Sequence, residues 1–200
     1  MAKYLAIDTS SRYLTVLAVN GGREVLRATP DCAMKHSVIL MGEIDSALSE
    51  ACLKIEECDY IAAVTGPGSF TGIRIGIATA KGFALAAKKP LKSVTVFDLI
   101  AYNVNSEKPF LVAVDAAHDH YYICGYENGK VTVPPSYLPF DKISSMNLPV
   151  YGFEELAFKN YTKLDAQKCL KAAVENSGFS DGMHALYVRK SQAEENLSGN

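Results

Sequence analysis

The chain has 200 residues, 48% of them hydrophobic and 21% charged, with a formal net charge of −2 at pH 7. This is the composition of a globular chain of one large or two small domains, and with no run of basic residues it excludes a strong nucleic-acid footprint on the chain by itself. Asp8 stops the first apolar run, so no signal peptide is expected, and Lys81 and Lys88 bracket the longest apolar candidate, which falls short of a membrane span.

Tyr4 to Thr9 reads as a strand, and Tyr13 to Val19 alternates. Asn20-Gly21-Gly22 is a hairpin turn signal, after which Glu24 to Ala28 returns. A helix opens at His36-Ser37, with Ser37 as N-cap, and its apolar stripe is Leu40, Met41, Ile44, Ala47, Leu48, Ala51 and Ile55. Tyr60 to Thr65 is a strand. Gly66-Pro67-Gly68-Ser69-Phe70-Thr71-Gly72 is a tight loop, and a helix runs on to Lys88, with Thr71 as N-cap. A strand at 92–96 and a short helix from Phe97 complete the order βββαβαβα. Five cysteines without C-x-x-C read as reduced cytoplasmic thiols, with Cys52 and Cys124 in the core.

The glycine-led helix has an unusual ridge. Gly72, Gly76, Ala80 and Ala84 recur every four residues on one face. Each internal glycine costs about 1 kcal/mol relative to alanine, so close packing must offset it. Two sources fit: a second helix backbone lying along the ridge, in this chain or another, or the helix pressed on its own sheet.

A second round starts at Pro109. Laid over the first without a gap, Ala6-Ile7-Asp8 falls on Ala113-Val114-Asp115, and Asn20-Gly21-Gly22 on Glu127-Asn128-Gly129. A strand at 131–133 is followed by a proline-rich loop from Pro134-Pro135 to Pro139, a short helix near 141–145, a strand at 149–151 and a helix from Asp165 to Ser177. The tail from Gln192 is polar and expected to fray. Asn105 to Pro109 is the linker, dividing domain 1–106 from a smaller domain 107–200. A duplicated βββαβα unit is the pattern of the α/β, ribonuclease-H-like fold of actin, Hsp70 and sugar kinases, here with the second half reduced.

The familiar chemistries of that fold are broken. A nuclease needs converging carboxylates for two metals, but the fourth strand ends in Thr65-Gly66. Asp8, Thr9 and Ser10 fit a first phosphate loop and Asp115 a second, but Ala116-Ala117 bring no hydroxyls. The would-be adenosine loop, Gly152-Phe153-Glu154-Glu155, has one glycine and two acids. Asp8 and Asp115 then read equally as strand-end residues capping local backbone. The glycine loop lacks the Lys-Ser/Thr of a P-loop, and Ser69 is not in G-x-S-x-G. Among the histidines there is no H-x-x-x-H; His118 and His120 share one side of a hairpin start, with Asp119 opposite, and read as solvated. No catalytic residue and no metal ligand is therefore assigned.

Gly66 to Gly76, with Leu5-Ala6-Ile7-Asp8-Thr9-Ser10 before it, resembles the TsaB (YeaZ) family of bacterial tRNA threonylcarbamoyladenosine proteins. Val114-Asp115-Ala116 and Leu186-Tyr187-Val188-Arg189 fit the same pattern. The resemblance implies an actin-like fold and pairing with a larger paralogue, TsaD, which carries metal and the transferase site. With the ATPase TsaE, the pair modifies adenosine 37 of ANN-reading tRNAs, and this chain meets tRNA only through the complex. Where the paralogue has its H-x-x-x-H, this chain has Val96 and Ile100. Family members carry a basic residue after Asp-Ala in the second phosphate loop; here the run is Asp115-Ala116-Ala117-His118, which weakens a nucleotide role.

The resulting expectation is a noncatalytic dimerisation subunit. Helices 37–55 and 71–88 would form a four-helix bundle with a partner. Its contacts would be Met41, Ile44, Asp45, Leu48, Gly72, Arg74, Ile75, Gly76, Thr79, Ala80, Phe83 and Ala84. Without the paralogue the same face would make a homodimer. Asp8, Thr9, Ser10 and Asp115 would line a vestigial nucleotide cleft. No cofactor is expected on the chain alone, with ATP or ADP at the complex interface. The competing expectation is a free-standing ATPase or phosphotransferase.

Overall fold

The computed structural model describes residues 1–32 and 35–189. The strands β1 (Lys3–Asp8), β2 (Leu14–Asn20) and β3 (Arg23–Thr29) form an antiparallel meander. β1 is almost wholly apolar and buried, because both faces of its sheet are covered. After α1 (His36–Glu50) and a 3₁₀ turn at Ile55–Glu57, β4 (Tyr60–Val64) adds parallel to β1. After α2 (Phe70–Ala87), β5 (Leu91–Val94) adds parallel to β4, and α3 (Val96–Ala101) follows. The second half contributes β6 (Phe110–Asp115), β7 (His120–Glu127), β8 (Lys130–Pro139), α4 (Phe140–Ser145), β9 (Val150–Gly152), β10 (Tyr161–Lys163) and α5 (Ala166–Asn176).

The two sheets have one topology. Their orders are β3-β2-β1-β4-β5 and β8-β7-β6-β9-β10. Gly21-Gly22 and Asn128-Gly129 form the matching two-residue turns; Asn128 and Gly129 both take the positive φ that a tight hairpin requires. This is the duplicated ribonuclease-H-like, actin-type arrangement.

The core has three parts. α1 and α2 cover one face of the first sheet, burying Leu5, Ile7, Leu40, Ile44, Ile73 and Ile77. The other face joins the second sheet through a shared core of Tyr4, Ala6, Phe97, Phe110, Val112, Leu170 and Val174. There the halves exchange helices: α5 packs on β1, β2 and β5, α3 packs on β6 and β7, and the two helices touch. A third cluster, with Ile123, Ile143 and Phe158, fills the far side of the second sheet.

Several local expectations are corrected. Ser69, not Thr71, caps α2: its hydroxyl accepts from the Gly72 amide at 3.2 Å. Ser37 lies inside α1, whose N-cap is Lys35, without a side-chain cap. That helix ends at Glu50 rather than Ile55, because Cys52 turns left-handed at φ +51. Cys52 is consequently exposed, whereas Cys124 is buried. Pro134 and Pro135 belong to β8, an edge strand, at the register shift opposite Cys124, where a ladder donor is not needed. The short strand β10 is unforeseen; its three residues carry no periodicity. The tail from Gln192 lies outside the described residues.

Candidate functional site

The glycine loop is fastened within its own chain. A Cβ on Gly68 would stand 2.2 Å from the Ser10 carbonyl oxygen, and one on Gly76 would stand 2.4 Å from Thr9 Oγ1. The Ser69 amide donates to Ser10 O at 2.6 Å, and the Thr9 hydroxyl donates to Gly72 O at 2.7 Å. The loop between β1 and β2 thus lies against the start of α2, backbone on backbone. Gly72, Gly76, Ala80 and Ala84 are all buried by this chain, as is Ile44 on α1. Those five expected partner contacts are therefore corrected: of the two explanations for the ridge, packing on the helix's own half holds.

Beside this fastening, between the halves, lies a cleft of about 240 Å³. Asp8, Ser10 and Asp115 line it, as do Arg12, Ser69, Phe153 and Glu154. Thr9 does not: it is wholly buried against α2, which corrects its place among the cleft residues. Asp8 is 7% exposed, and its Oδ1 accepts from the Ser10 amide at 2.8 Å and the Ser10 hydroxyl at 2.6 Å. Burial pushes its carboxyl above the ordinary range, while the Ser10 bonds and the charge of His36 pull the other way.

The second half repeats the motif. Asp115 Oδ1 accepts from the Ala117 amide at 2.9 Å, and the Asp115 amide donates to Glu154 Oε2 at 3.0 Å. Burial also raises the Glu154 carboxyl, opposed by the Asp115 amide. Both aspartates hold their own loops, so the strand-end capping reading is observed. Among the described residues lining the cleft, three are carboxylates and Arg12 is the one guanidinium, with no lysine.

Two histidines, His36 and His120, make local ring contacts, and His36 Nδ1 is buried without a hydrogen-bond partner. His36 Nε2 lies 3.2 Å from Tyr13 O, and His120 stacks on Tyr137 with centroids 4.7 Å apart while Nδ1 meets His118 O at 2.7 Å. Among the described residues no group of three His, Cys, Asp or Glu converges as a metal site. No helix among them is long and apolar enough to cross a membrane.

A family model described as TsaD, tRNA N6-adenosine threonylcarbamoyltransferase, matches residues 29–190. The chain belongs to this family. Its relatives place it on the TsaB (YeaZ) side. It is 32% identical to the tRNA threonylcarbamoyladenosine biosynthesis protein TsaB of Escherichia coli over 64% of this chain and 57% of that one. It is also 32% identical to the TsaB of Buchnera aphidicola from Schizaphis graminum, over 56% and 54%. The matches thus span little more than half the length of these curated relatives. A solved structure of YeaZ from Pseudomonas aeruginosa has the same fold, with a TM-score of 0.73 at 22% identity, covering 94% of this chain and 100% of that one.

At the positions where TsaD-like paralogues are expected to hold metal, Val96 and Ile100 lie buried on α3 and offer no donor atom. The remaining expected contacts lie on the outer and flanking faces of α1 and α2, where Leu48, Ile75 and Phe83 also pack against the core. Met41, Asp45 and Arg74 are exposed, and Leu48, Ile75, Thr79 and Phe83 are half-buried. Val38 and Leu85, which sequence reasoning omitted, are 78% and 83% exposed. Gly42 and Gly82 face open space, with nothing within 4 Å of where a Cβ would sit. Arg74, Ala78, Gly82 and Ala86 form a second four-residue series, on the solvent side of α2. That series was present in the sequence, but the glycine-richer inner ridge masked it. Arg74 itself is partly engaged: its Nε donates to the Tyr187 hydroxyl at 2.9 Å and its guanidinium lies 3.6 Å from the Phe70 ring centre.

Proposed function

We propose that this chain is a noncatalytic partner in threonylcarbamoyladenosine formation on tRNA. It pairs through the outer faces of α1 and α2 with a TsaD-like paralogue that performs the transfer at adenosine 37 of ANN-reading tRNAs, alongside a TsaE-like ATPase, in the cytoplasm. The tRNA is met through the complex. Alone, the chain pairs with a second copy through the same face, since one self-complementary patch serves a two-fold dimer.

The observation that carries this reading is the exposed small-and-apolar face of Val38, Met41, Gly42, Ala78, Gly82 and Leu85. Isolated apolar residues on a surface need no explanation, but exposed small and apolar positions on two helices, flanking a groove lined by Met41, Gly42, Leu48 and Phe83, suit an approaching helix pair. The cleft supports the noncatalytic part. A polyphosphate there would face Asp8, Asp115 and Glu154, with Arg12 alone to balance it. Any ATP or ADP belongs at the shared interface rather than in this cleft.

The test is co-purification of the larger paralogue with the wild-type chain and with Gly82→Arg. Capture by the wild type and loss in a folded variant is the expected result. Undiminished capture by the variant overturns the face. ATP hydrolysis by the isolated chain, abolished by Asp8→Ala, would restore the ATPase reading.

A further inference from the structure

The last described residues form a third tie between the halves. After β10 the chain leaves the second sheet, crosses to the first half as α5, and then runs back. Phe179 meets the Tyr60 ring edge-on at 5.8 Å. The Ser180 amide donates to Leu91 O at 3.1 Å, covering the open edge of β5. Met183 is wholly buried in the core under α1 and α2. The Leu186 amide donates to Thr65 O at 2.8 Å, and its carbonyl lies 3.2 Å from where a Gly66 Cβ would sit. Tyr187 holds Arg74 and Phe70. Finally Arg189 reaches the second sheet: Nη1 donates to the Tyr137 hydroxyl at 3.0 Å, with the guanidinium 4.9 Å from that ring.

We propose that residues 179–189 are a clasp that fixes the two halves of the cleft in one relative setting, with Arg189–Tyr137 as its closing contact. The halves already share a core through Tyr4, Phe97, Phe110, Leu170 and Val174, so any residual hinge motion is confined to the cleft side of that core. A further tie, anchored along the first half and ending on the far edge strand of the second, closes the chain into a ring and removes that freedom. The glycine loop lies inside the ring, with Ser10 packed on Gly68 and Leu186 on Gly66. The same segment therefore braces the first turn of α2 and the wall of the cleft. This inference does not depend on which partner docks on the helices.

The test uses the full chain with Cys52→Ser, which removes the exposed thiol, and spin labels at Leu26→Cys on β3 and Val131→Cys on β8, both exposed positions. Pulsed dipolar spectroscopy should give one narrow distance distribution. Arg189→Ala should broaden it about twofold, as hinge freedom returns, with circular dichroism unchanged. Tyr137→Phe, which deletes only the accepting hydroxyl, is the deciding variant if Arg189→Ala does not fold. A distribution left unchanged in a folded variant, or already broad in the parent, overturns the clasp.

Discussion

A Cβ on Gly72 would lie 2.0 Å from the carbonyl oxygen of Thr9. The obstacle is backbone at the end of β1, so no rotamer change relieves it. The Thr9 hydroxyl meanwhile donates to Gly72 O, so the two residues are locked from both sides. Overpacking a tight core costs about 1–3 kcal/mol, and Gly72→Ala should reach or exceed the top of that range. Gly76→Ala differs in kind, since its obstacle is the Thr9 side chain at 2.4 Å. Adding Thr9→Ala should recover part of the Gly76→Ala loss and none of the Gly72→Ala loss. Urea unfolding of the four variants checks this; equal rescue of both glycines would show that the loop yields as a whole.

Gly82 should behave in the opposite way. With nothing within 4 Å of its absent Cβ, alanine meets no obstacle there. Gly82→Ala should stabilise the isolated monomer by about 1 kcal/mol through helix propensity. If a second helix approaches along that line, the same methyl should weaken pairing about tenfold or more, a difference of about 1.4 kcal/mol. Denaturant midpoints at low concentration and sedimentation at high concentration separate the effects. A variant that gains stability and pairs undiminished would remove Gly82 from the interface.

Ala78 and Ala80 make a matched pair on one helix. Ala80 is wholly buried and Ala78 is exposed. Ala80→Arg should leave little folded protein, because a guanidinium would enter the core without a partner. Ala78→Arg should fold like the parent and lose its partner. Circular dichroism followed by size-exclusion chromatography distinguishes them; loss of fold in Ala78→Arg would mean the outer face is not free in the monomer.

The doubled architecture was readable because strand pairs leave local signals. Asp8 and Asp115 end equivalent strands, and Gly21-Gly22 and Asn128-Gly129 sit on equivalent turns. The helix boundaries were less so: Ser69 and Thr71 both carry a hydroxyl at the start of α2, and only the chain path over Ser10 decides between them. The buried ridge of α2 was legible as needing a close neighbour, but not which one. Spacing reports that Gly72 and Gly76 share a face; it does not report that Thr9 lies against that face. Asp8 and Asp115 were readable from strand ends and the Phe153-Glu154 loop from its composition, whereas Arg12, on the same β1–β2 connection as Ser10, gave no signal of its own as a cleft residue.

Asp8 offers a pH test of the cleft. Burial raises its carboxyl in the folded protein, so the folded state holds this proton more tightly than the unfolded chain does. Stability from this group is therefore fully present below the unfolded carboxylate value of about 3.9 and declines as pH rises through the folded value. The substitution Asp8→Asn would keep an oxygen to accept from the Ser10 amide and hydroxyl while removing the titration. That variant should match the parent near pH 4 and exceed it at pH 7, flattening the decline. Urea midpoints across that interval measure it. Should the parent instead gain on the variant as pH rises, the Ser10 bonds outweigh burial, and the cleft holds Asp8 as an anion.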